Sequence, residues 1–334
     1  MTPTGSPRAA RAAARGRALV PPRLLPVIAT FALFLLTFGT GAIRYDGFAS
    51  GQVVANLFID NAFLIVLAVG MTFVILTGGI DLSVGAMLAL STMVAASALQ
   101  AGWPAPLVIA AVLLMGSVFG LLMGAVIHHF EIQPFIVTLA GMFLARGLCF
   151  VISVESISIR DATFRSIATS VIELPGGITI TYGVLVALAV VAVAAYVLHL
   201  TRFGRTVYAI GGSESSARLM GLSVGWVKVG VYAVNGFCSA LAGLLFSFYM
   251  LSGYGLHAVG MELDAIAAVV IGGTLLAGGV GYVFGSLVGV LLLGTIHTMI
   301  SFEGTLSSWW TKIVIGVLLL VFIVMQRMIL GRQT

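Results

Sequence analysis

Long apolar runs separated by short polar stretches dominate this chain from residue 24 onwards. The first run covers 24–42, and nine more follow at 53–76, 83–100, 105–127, 134–152, 179–199, 226–251, 263–276, 282–300 and 309–326. Most of them reach the roughly 20 residues that a helix needs to cross a bilayer. The segment 263–276 is too short at about 1.5 Å per helical residue, and it predicts a half-helix or a deeply buried piece. We therefore predict an all-α polytopic membrane protein with about ten transmembrane segments, some of them broken or half helices.

The composition supports a lipid-embedded chain. Of the 334 residues, 60% are hydrophobic and only 8% are charged, whereas a soluble domain carries about 25% charged residues. The two cysteines, Cys149 and Cys238, both lie within apolar segments, which predicts buried thiols rather than a disulfide. The net charge of +5 is typical of a membrane protein whose basic residues mark cytoplasmic loops, and we expect no nucleic-acid partner.

The distribution of basic residues predicts the orientation. If the N-terminus is cytoplasmic and ten spans alternate, eleven of the 16 lysines and arginines fall inside, three outside and two within spans. This asymmetry favours ten spans with both termini in the cytoplasm. Residues 1–23 predict a disordered basic N-terminal segment, followed by a single transmembrane domain at 24–330. We expect the run at 24–42 to be a retained helix rather than a cleaved signal peptide, because no clear small-residue cleavage site follows it.

Sequence patterns for catalysis are missing. The chain has no nucleophile elbow, no HExxH, no clustered metal ligands and no GxxxxGK[ST] phosphate loop. We therefore expect no catalytic residues, no metal and no cofactor, and a membrane-embedded enzyme is disfavoured. Energy for uphill transport would come from another chain or from an ion gradient. The ionisable residues within or near spans form no convincing buried relay, which weakens a gradient-driven carrier without excluding it; they are Asp60, Asp81, Arg146, Asp264 and Lys312.

Paired glycines interrupt two apolar segments. One pair at 78–79 precedes Asp81, and two more, at 272–273 and 278–279, follow the short segment. Irregular backbone at membrane depth survives only where it is buried in protein or lines a water-filled cavity. Both places are candidates for lining a translocation pathway, and the alternative is two ordinary inner turns between spans. Asp81 can cap the helix that follows it, and we favour a structural hinge near the inner end of the span over a substrate contact.

Two glycine stripes with four-residue spacing predict close helix packing. Their members are Gly116, Gly120 and Gly124 in one, and Gly281, Gly285 and Gly289 in the other. Each stripe gives a flat face that lets another helix approach closely. We expect plain packing within the subunit, and the alternative is a surface that slides during gating.

The inner loop at 200–225 contains the segment GGSESSARLMG, which predicts a short helix bounded by glycines. Ser213 can cap this helix, and Glu214 favours its first turn. The helix would present a small apolar surface formed by Ala217, Leu219 and Met220. Such a helix suits the docking of a cytoplasmic partner, and the alternative is an interfacial amphipathic turn.

Three blocks of sequence resemble a known family. GMTFVILTGGIDLSVGAMLALS, TRFGRTVYAIGGSESSARLMGLSV and ELDAIAAVVIGGTLLAGGVGYVFGSLVG closely resemble the permease subunits of ABC importers for ribose and related monosaccharides. The resemblance covers about residues 45–328, and the long basic N-terminus departs from it. IDNAFLIVLAVGMTFVIL, SVESISI and FEGTLSSWWTKI more narrowly resemble one of the two permeases of the galactofuranose importer.

The resemblance implies a transport subunit without chemistry of its own. It implies a multi-pass protein of the bacterial inner membrane that moves a monosaccharide, galactofuranose-like or ribose-type, by alternating access. Its expected partners are a cytoplasmic ABC ATPase with two nucleotide-binding halves, a periplasmic sugar-binding protein and a second permease chain, similar or identical. A gradient-driven secondary carrier of a small neutral solute stays open as the alternative.

The resemblance and the breaks together define three groups of candidate residues. The segment after TRFGR is the coupling segment in this family, which assigns ATPase coupling to Gly211, Gly212, Ser213, Glu214, Ala217, Arg218, Met220 and Gly221. The candidates for the pathway or gate are Asn61, Gly78, Gly79, Asp81, Asn235, Ser239, Gly272, Gly273 and Thr274. The charges available for contact with a binding protein are Arg44, Glu155, Arg160, Asp161 and Arg165.

Overall fold

The computed structural model describes residues 24–305, 307 and 309–331. The predicted basic segment 1–23 lies outside these residues. The described part contains fourteen helices: α1 (Leu25–Arg44), α2 (Gly51–Ile59), α3 (Ala62–Leu76), α4 (Val84–Gln100), α5 (Ala105–His129), α6 (Pro134–Ile152), α7 (Ala162–Thr169), α8 (Tyr182–Leu200), α9 (Arg202–Gly212), α10 (Glu214–Leu219), α11 (Val224–Met250), α12 (Met261–Ile271), α13 (Val283–Glu303) and α14 (Trp309–Gly331).

The predicted all-α class is confirmed, since four short strands of two to four residues are the only additions to the helices in the described part. They are β1 (Ile157–Ser158), β2 (Val171–Leu174), β3 (Ile178–Thr181) and β4 (Ser252–Gly253). β2 and β3 form an antiparallel hairpin, and β1 pairs antiparallel with β4, with Ile157 opposite Gly253. β1, α7 and β2 lie within the long connection at 153–178, which is predicted to be on the outer side, and β3 begins at its end. β1 is thereby tied to the chain that leaves α11.

Seven of the described helices are long and apolar enough to cross a membrane, namely α1, α5, α6, α8, α11, α13 and α14. The predicted span 53–76 is instead divided into α2 and α3, which are bent by 53° and would count together as an eighth. α4 is a shorter apolar helix of 17 residues. The segment 263–276 contains α12, which has only 11 residues, and this confirms the predicted half-helix. The total of ten spans and the cytoplasmic position of both ends stay predictions.

Five helices form the centre of the molecule and the others surround them. Every residue of α3 except Phe63 is buried, and α11 and α13 are largely buried along their apolar lengths. α4 and α12 complete this centre. The surrounding helices α1, α5, α6, α8 and α14 expose large side chains such as Leu36, Phe143 and Leu320. Lipid can accept these apolar surfaces as readily as protein can.

Both glycine stripes lie at close helix contacts, which confirms the packing interpretation. Gly116, Gly120 and Gly124 of α5 face α11, where a methyl group at Gly120 would collide with the carbonyl of Tyr232. On α13, Gly285 faces the backbone of Gly272, and Gly289 faces that of Ala268, while Gly281, just before the helix, meets the side chain of Thr274. Small residues let the backbones approach, and van der Waals packing then replaces the hydrophobic drive that is weak in lipid.

We predict that Gly120→Ala destabilises the protein, whereas Gly147→Ala does not. Overpacking a tight contact costs about 1–3 kcal/mol, and the neighbouring backbone of α11 cannot rotate away. A methyl group at Gly147 of α6 would have nothing within 4 Å, and the change removes a helix-weakening glycine. Thermal unfolding in detergent should show a lower midpoint for Gly120→Ala alone. Equal midpoints for the two variants would contradict the packing interpretation.

Candidate functional site

Asp81 anchors the irregular segment 77–83 that separates α3 from α4, which we call the first break. Its side chain is buried, with 3% of its surface exposed. Oδ1 accepts hydrogen bonds from the backbone N–H of Ser83 at 2.8 Å and from its hydroxyl at 2.6 Å, and Oδ2 accepts one from Nδ2 of Asn235 at 2.7 Å. Asp81 therefore orders Ser83, the residue before α4, and ties the break to α11. The expectation that Asp81 caps α4 was wrong, because Ser83 takes the N-cap position and Asp81 bonds Ser83 rather than an N–H within the helix.

The contact with Asn235 places the first break beside the middle part of α11. Asn235 is the twelfth of the 27 residues of α11, so it lies about 16 Å along the helix from its first residue. Asp81 contacts it directly and is therefore opposite the middle of the longest helix. The expectation that Asp81 lies near the inner end of a span stays a prediction.

Other polar groups surround the Asp81–Asn235 pair. The hydroxyl of Tyr232 and Oδ1 of Asn235 are buried and have no hydrogen-bond partner among the described residues. Ser239 donates to the carbonyl of Asn235 at 2.8 Å within its own helix. Gly79 faces the Tyr232 hydroxyl. Asp81, Asn235 and Ser239, proposed as pathway or gate residues, thus come together, and all are buried against protein in this conformation.

The second break, residues 272–282 between α12 and α13, is held by two peripheral helices. Gln326 of α14 donates to the carbonyl of Val270 at 3.0 Å and to that of Thr274 at 3.4 Å. Thr30 of α1 donates to the carbonyl of Ile271. The last carbonyls of a helix have no partner within it, and hydrocarbon supplies none. These two side chains therefore supply hydrogen-bond donors to carbonyl groups at the buried end of α12.

Sequence reasoning missed Thr30 and Gln326. Each is one of three polar residues in a largely apolar run, and nothing in the sequence distinguished it from the others or indicated a partner. Of the predicted residues, Gly272, Gly273 and Thr274 do belong to this break. Asn61 does not join either break: it lies at the bend between α2 and α3, where its Nδ2 donates to the carbonyl of Leu57 at 2.8 Å.

The predicted short helix in the inner loop is present as α10, and α9 precedes it. Ser213 caps α10 by accepting from the backbone N–H of Ser216 at 3.3 Å. Glu214 pairs with Arg218 at 2.8 Å and with Lys228 of α11 at 2.6 Å. Gly221 (φ +75°) follows the helix. The predicted helix, its cap and its bounding glycines are confirmed, whereas its docking role stays a prediction.

The two faces of α10 differ in exposure. Ala217 is fully buried, whereas 89% of Leu219 and 67% of Met220 are exposed. Partial burial opposes ionisation of Glu214, but hydrogen bonds and charges from Lys228 and Arg218 together outweigh it and lower its pKa. A glutamate with a lowered pKa keeps its pairs above its usual titration range and loses them only on stronger acidification. The ion pairs thus hold α10 in place at neutral pH while its apolar tip faces outwards.

The proposed outer contact residues divide into two places. Glu155, Arg160 and Asp161 line a cavity of about 780 Å³, together with Ser97, Gln100, Ser153, Ser156 and Ser158 among others. Asp161 also caps α7 by accepting from the backbone N–H of Phe164 at 2.7 Å, and Arg165 lies on that helix. Arg44 is separate, since it pairs with Glu303 at 3.1 Å where α1 and α13 end.

The remaining ionisable residues near the spans have local partners. Arg146 donates to the carbonyls of Gly255 and His257 at 2.7 and 2.8 Å. Lys312 pairs with Asp264 at 2.6 Å, which ties α14 to the start of α12. These contacts fix neighbouring elements, and they do not connect into a relay across the molecule.

Comparison with known proteins identifies the family. The family model described as "Branched-chain amino acid transport system / permease component" matches residues 53–323. The chain belongs to this permease family. It is also 48% identical over 306 residues to the inner membrane ABC transporter permease protein YjfF of Escherichia coli (strain K12), covering 91% of this chain and 92% of that protein. The permease is thus a multi-pass protein of the inner membrane.

Two further relatives extend over nearly the whole permease. The fructose import permease protein FruG of Bifidobacterium longum is 44% identical over 315 residues, which cover 92% of each chain. The ribose import permease protein RbsC of Haemophilus influenzae is 40% identical over 296 residues, or 87% of this chain and 89% of that protein. No solved structure gives a significant match.

We predict that Asp81→Asn leaves the permease folded and active, whereas Asp81→Ala destabilises it. An asparagine can still accept from the Ser83 N–H, and its amide can donate to Oδ1 of Asn235 once the Asn235 amide turns over to present that oxygen. Alanine leaves the buried groups of Ser83 and Asn235 unsatisfied, which costs about 1–3 kcal/mol for each such group. Thermal unfolding and substrate uptake should both separate the two variants.

Ser247→Ala serves as the control for this comparison, because its buried hydroxyl on α11 donates only to the carbonyl of Gly243 in its own helix. We expect it to behave like the unmodified permease. If Asp81→Asn abolishes uptake in a well-folded protein as completely as Asp81→Ala does, the negative charge itself is needed and the hinge interpretation is insufficient.

Proposed function

We propose that this chain is the transmembrane subunit of an ATP-driven ABC importer that moves a monosaccharide across the inner membrane by alternating access. The observation that carries the proposal is near full-length similarity to proteins named as permeases of ribose and fructose import. The family description mentions branched-chain amino acids, but these relatives favour a sugar. A galactofuranose-like or ribose-type sugar fits the sequence resemblance described above.

The proposed partners follow from the two ends of the molecule. A cytoplasmic ABC ATPase with two nucleotide-binding halves would dock on α10, whose exposed Leu219 and Met220 form an apolar tip. A periplasmic sugar-binding protein would contact the outer face. There the cavity beside Glu155, Arg160 and Asp161 offers both charge signs and several hydroxyl groups. A second permease chain, similar or identical, would complete the transporter.

The two breaks are the proposed gate. ATP binding would draw the ATPase halves together, displace α10 and change which side of the pathway is open. Asp81 and Asn235 would act as a hinge that opens and recloses, while Ser239 and Thr274 lie beside the moving backbone. Sugar would pass without chemical change, so no catalytic residue and no cofactor is needed.

A gradient-driven secondary carrier is the alternative, and the contacts do not favour it. Coupling to protons or sodium requires ionisable groups that form a path inside the membrane. Lys312 and Asp264 instead pair with each other in a partly exposed position. Arg146 is satisfied by two carbonyls.

Reconstitution into proteoliposomes tests the proposed function. We expect uptake of a labelled monosaccharide only when the ATPase chain, the binding protein and ATP are all present. Omitting each component in turn provides the controls. Uptake driven by a pH or sodium gradient alone, without the ATPase, would contradict the proposal.

Replacing Glu214 and Arg218 together by alanine tests the docking role of α10. The double variant removes the pairs that orient the helix, and we expect its affinity for the ATPase to fall about tenfold, as for the loss of one charge-assisted hydrogen bond. Sugar-stimulated ATP hydrolysis should fall in parallel. The matched control is Ser215→Ala, which changes an exposed position of the same helix. Unchanged association and hydrolysis in the double variant would show that the ATPase docks elsewhere.

A further inference from the structure

The end of α9 meets both membrane breaks at one place, which we call the glycine junction. It consists of residues 76–79 after α3, 277–281 after α12 and 208–212 at the end of α9. The N–H of Gly279 donates to the carbonyl of Leu76 at 2.9 Å, which joins the two breaks. The hydroxyl of Tyr208 donates to the carbonyl of Gly281 at 2.8 Å, which joins α9 to the second break. Two hydrogen bonds thus link three segments that are far apart in sequence.

The contact at Gly211 leaves no room for a side chain. A methyl group there would collide with the carbonyl of Leu76 and the backbone N of Gly279. At Gly278, a methyl group would lie 2.8 Å from the backbone N of Gly78 and 2.9 Å from the Cα of Gly211. The three backbones therefore touch directly. A displacement of one cannot be absorbed by a rotamer change in an intervening side chain, because close-packed interiors transmit strain.

The neighbouring residue Gly212 shows that, of the two glycines that end α9, only Gly211 lacks room for a side chain. Gly212 is also helical, but a methyl group on it would have nothing within 4 Å. α10 begins only two residues later, at Glu214. Along the chain only Ser213 separates α9 from α10, so a displacement of α10 reaches the contact at Gly211 through two intervening residues.

A second contact reinforces the link between the two broken segments. The hydroxyls of Thr72 on α3 and Ser286 on α13 are hydrogen bonded at 2.7 Å, and both side chains are fully buried. Each lies within a few residues of its break. α3, which precedes the first break, is therefore hydrogen bonded to α13, which follows the second break.

We propose that the glycine junction transmits a displacement of α10 directly to both membrane breaks, so that the break holding Asp81 and the break after α12 move as one unit. The proposal rests on the docking of an ATPase on α10 put forward above, and it adds the route of coupling. Gly211 and Tyr208 act as positioning residues, since neither needs to touch the transported molecule.

Hydrogen exchange on the permease alone, in lipid nanodiscs, tests the junction without any partner. In Gly211→Ala we expect the amide of Gly279 to exchange about tenfold faster, as for the loss of one hydrogen bond, and exchange to rise across both 76–83 and 272–282. Gly212→Ala gains the same methyl group on the same helix and should exchange like the unmodified protein. A response confined to α9 and α10, or to one break only, would overturn the proposal.

Tyr208→Phe provides a milder variant in case Gly211→Ala does not fold. It removes the hydroxyl that donates to Gly281 and keeps the ring against His199. We expect it to raise exchange in the second break and, through the Leu76–Gly279 bond, in the first. Faster exchange in the second break alone would show that the breaks move independently, contrary to the proposal.

The coupling itself is read from the ATP hydrolysed per sugar imported in the reconstituted transporter. Gly211→Ala should raise this ratio about tenfold, the equivalent of one lost hydrogen bond, while Gly147→Ala, whose added methyl group meets nothing within 4 Å, leaves it unchanged. A normal ratio in a folded Gly211→Ala variant would overturn the coupling route. If the unmodified transporter imports no sugar with ATP, the proposed function fails, and the exchange experiment still decides whether the junction links the breaks.

Discussion

Every backbone N–H and C=O group inside hydrocarbon must find a partner within the protein, and this constraint governs the two breaks of the permease. α3 and α12 both end inside the fold, where the last carbonyls of each helix would be left open. An unsatisfied buried group costs about 1–3 kcal/mol. A few such losses would equal the whole stability of a typical protein, about 5–15 kcal/mol. The turns after α3 and α12 satisfy most of these carbonyls, and other segments supply the partners of the last ones, those of Leu76 and Ile271.

Those partners explain the arrangement of the surrounding helices. α1 and α14 expose most of their surface, so apolar packing alone gives them little reason to occupy one position rather than another. Thr30 and Gln326 fix them, because each meets a carbonyl at the end of α12. Asp81 fixes the first break against α11 by accepting hydrogen bonds from Ser83 and Asn235. The polar contacts therefore specify an arrangement that lipid would leave undetermined.

Local features of this permease could be predicted from its sequence, and distant contacts could not. The apolar runs, the half-helix at α12, the breaks at the paired glycines and the Ser213 cap depend on residues close together in the chain. The Asp81–Asn235 bond joins residues 154 positions apart, and nothing local indicates which partner Asp81 finds. The bend before α3 was missed for a related reason, since Asp60 and Asn61 are two of only a few polar residues in an apolar run that otherwise predicts one helix.

The burial of the proposed gate also bears on how a sugar could pass. Asp81 and Asn235 already form hydrogen bonds with protein groups. Two buried polar atoms nearby have no partner among the described residues, namely the Tyr232 hydroxyl and Oδ1 of Asn235. If the break opens, sugar hydroxyls can replace the existing bonds one for one. A hydrogen bond exchanged for another contributes only about 0.5–1.5 kcal/mol net. Opening would then cost little and the sugar would be held weakly, as a pathway that must release its substrate requires.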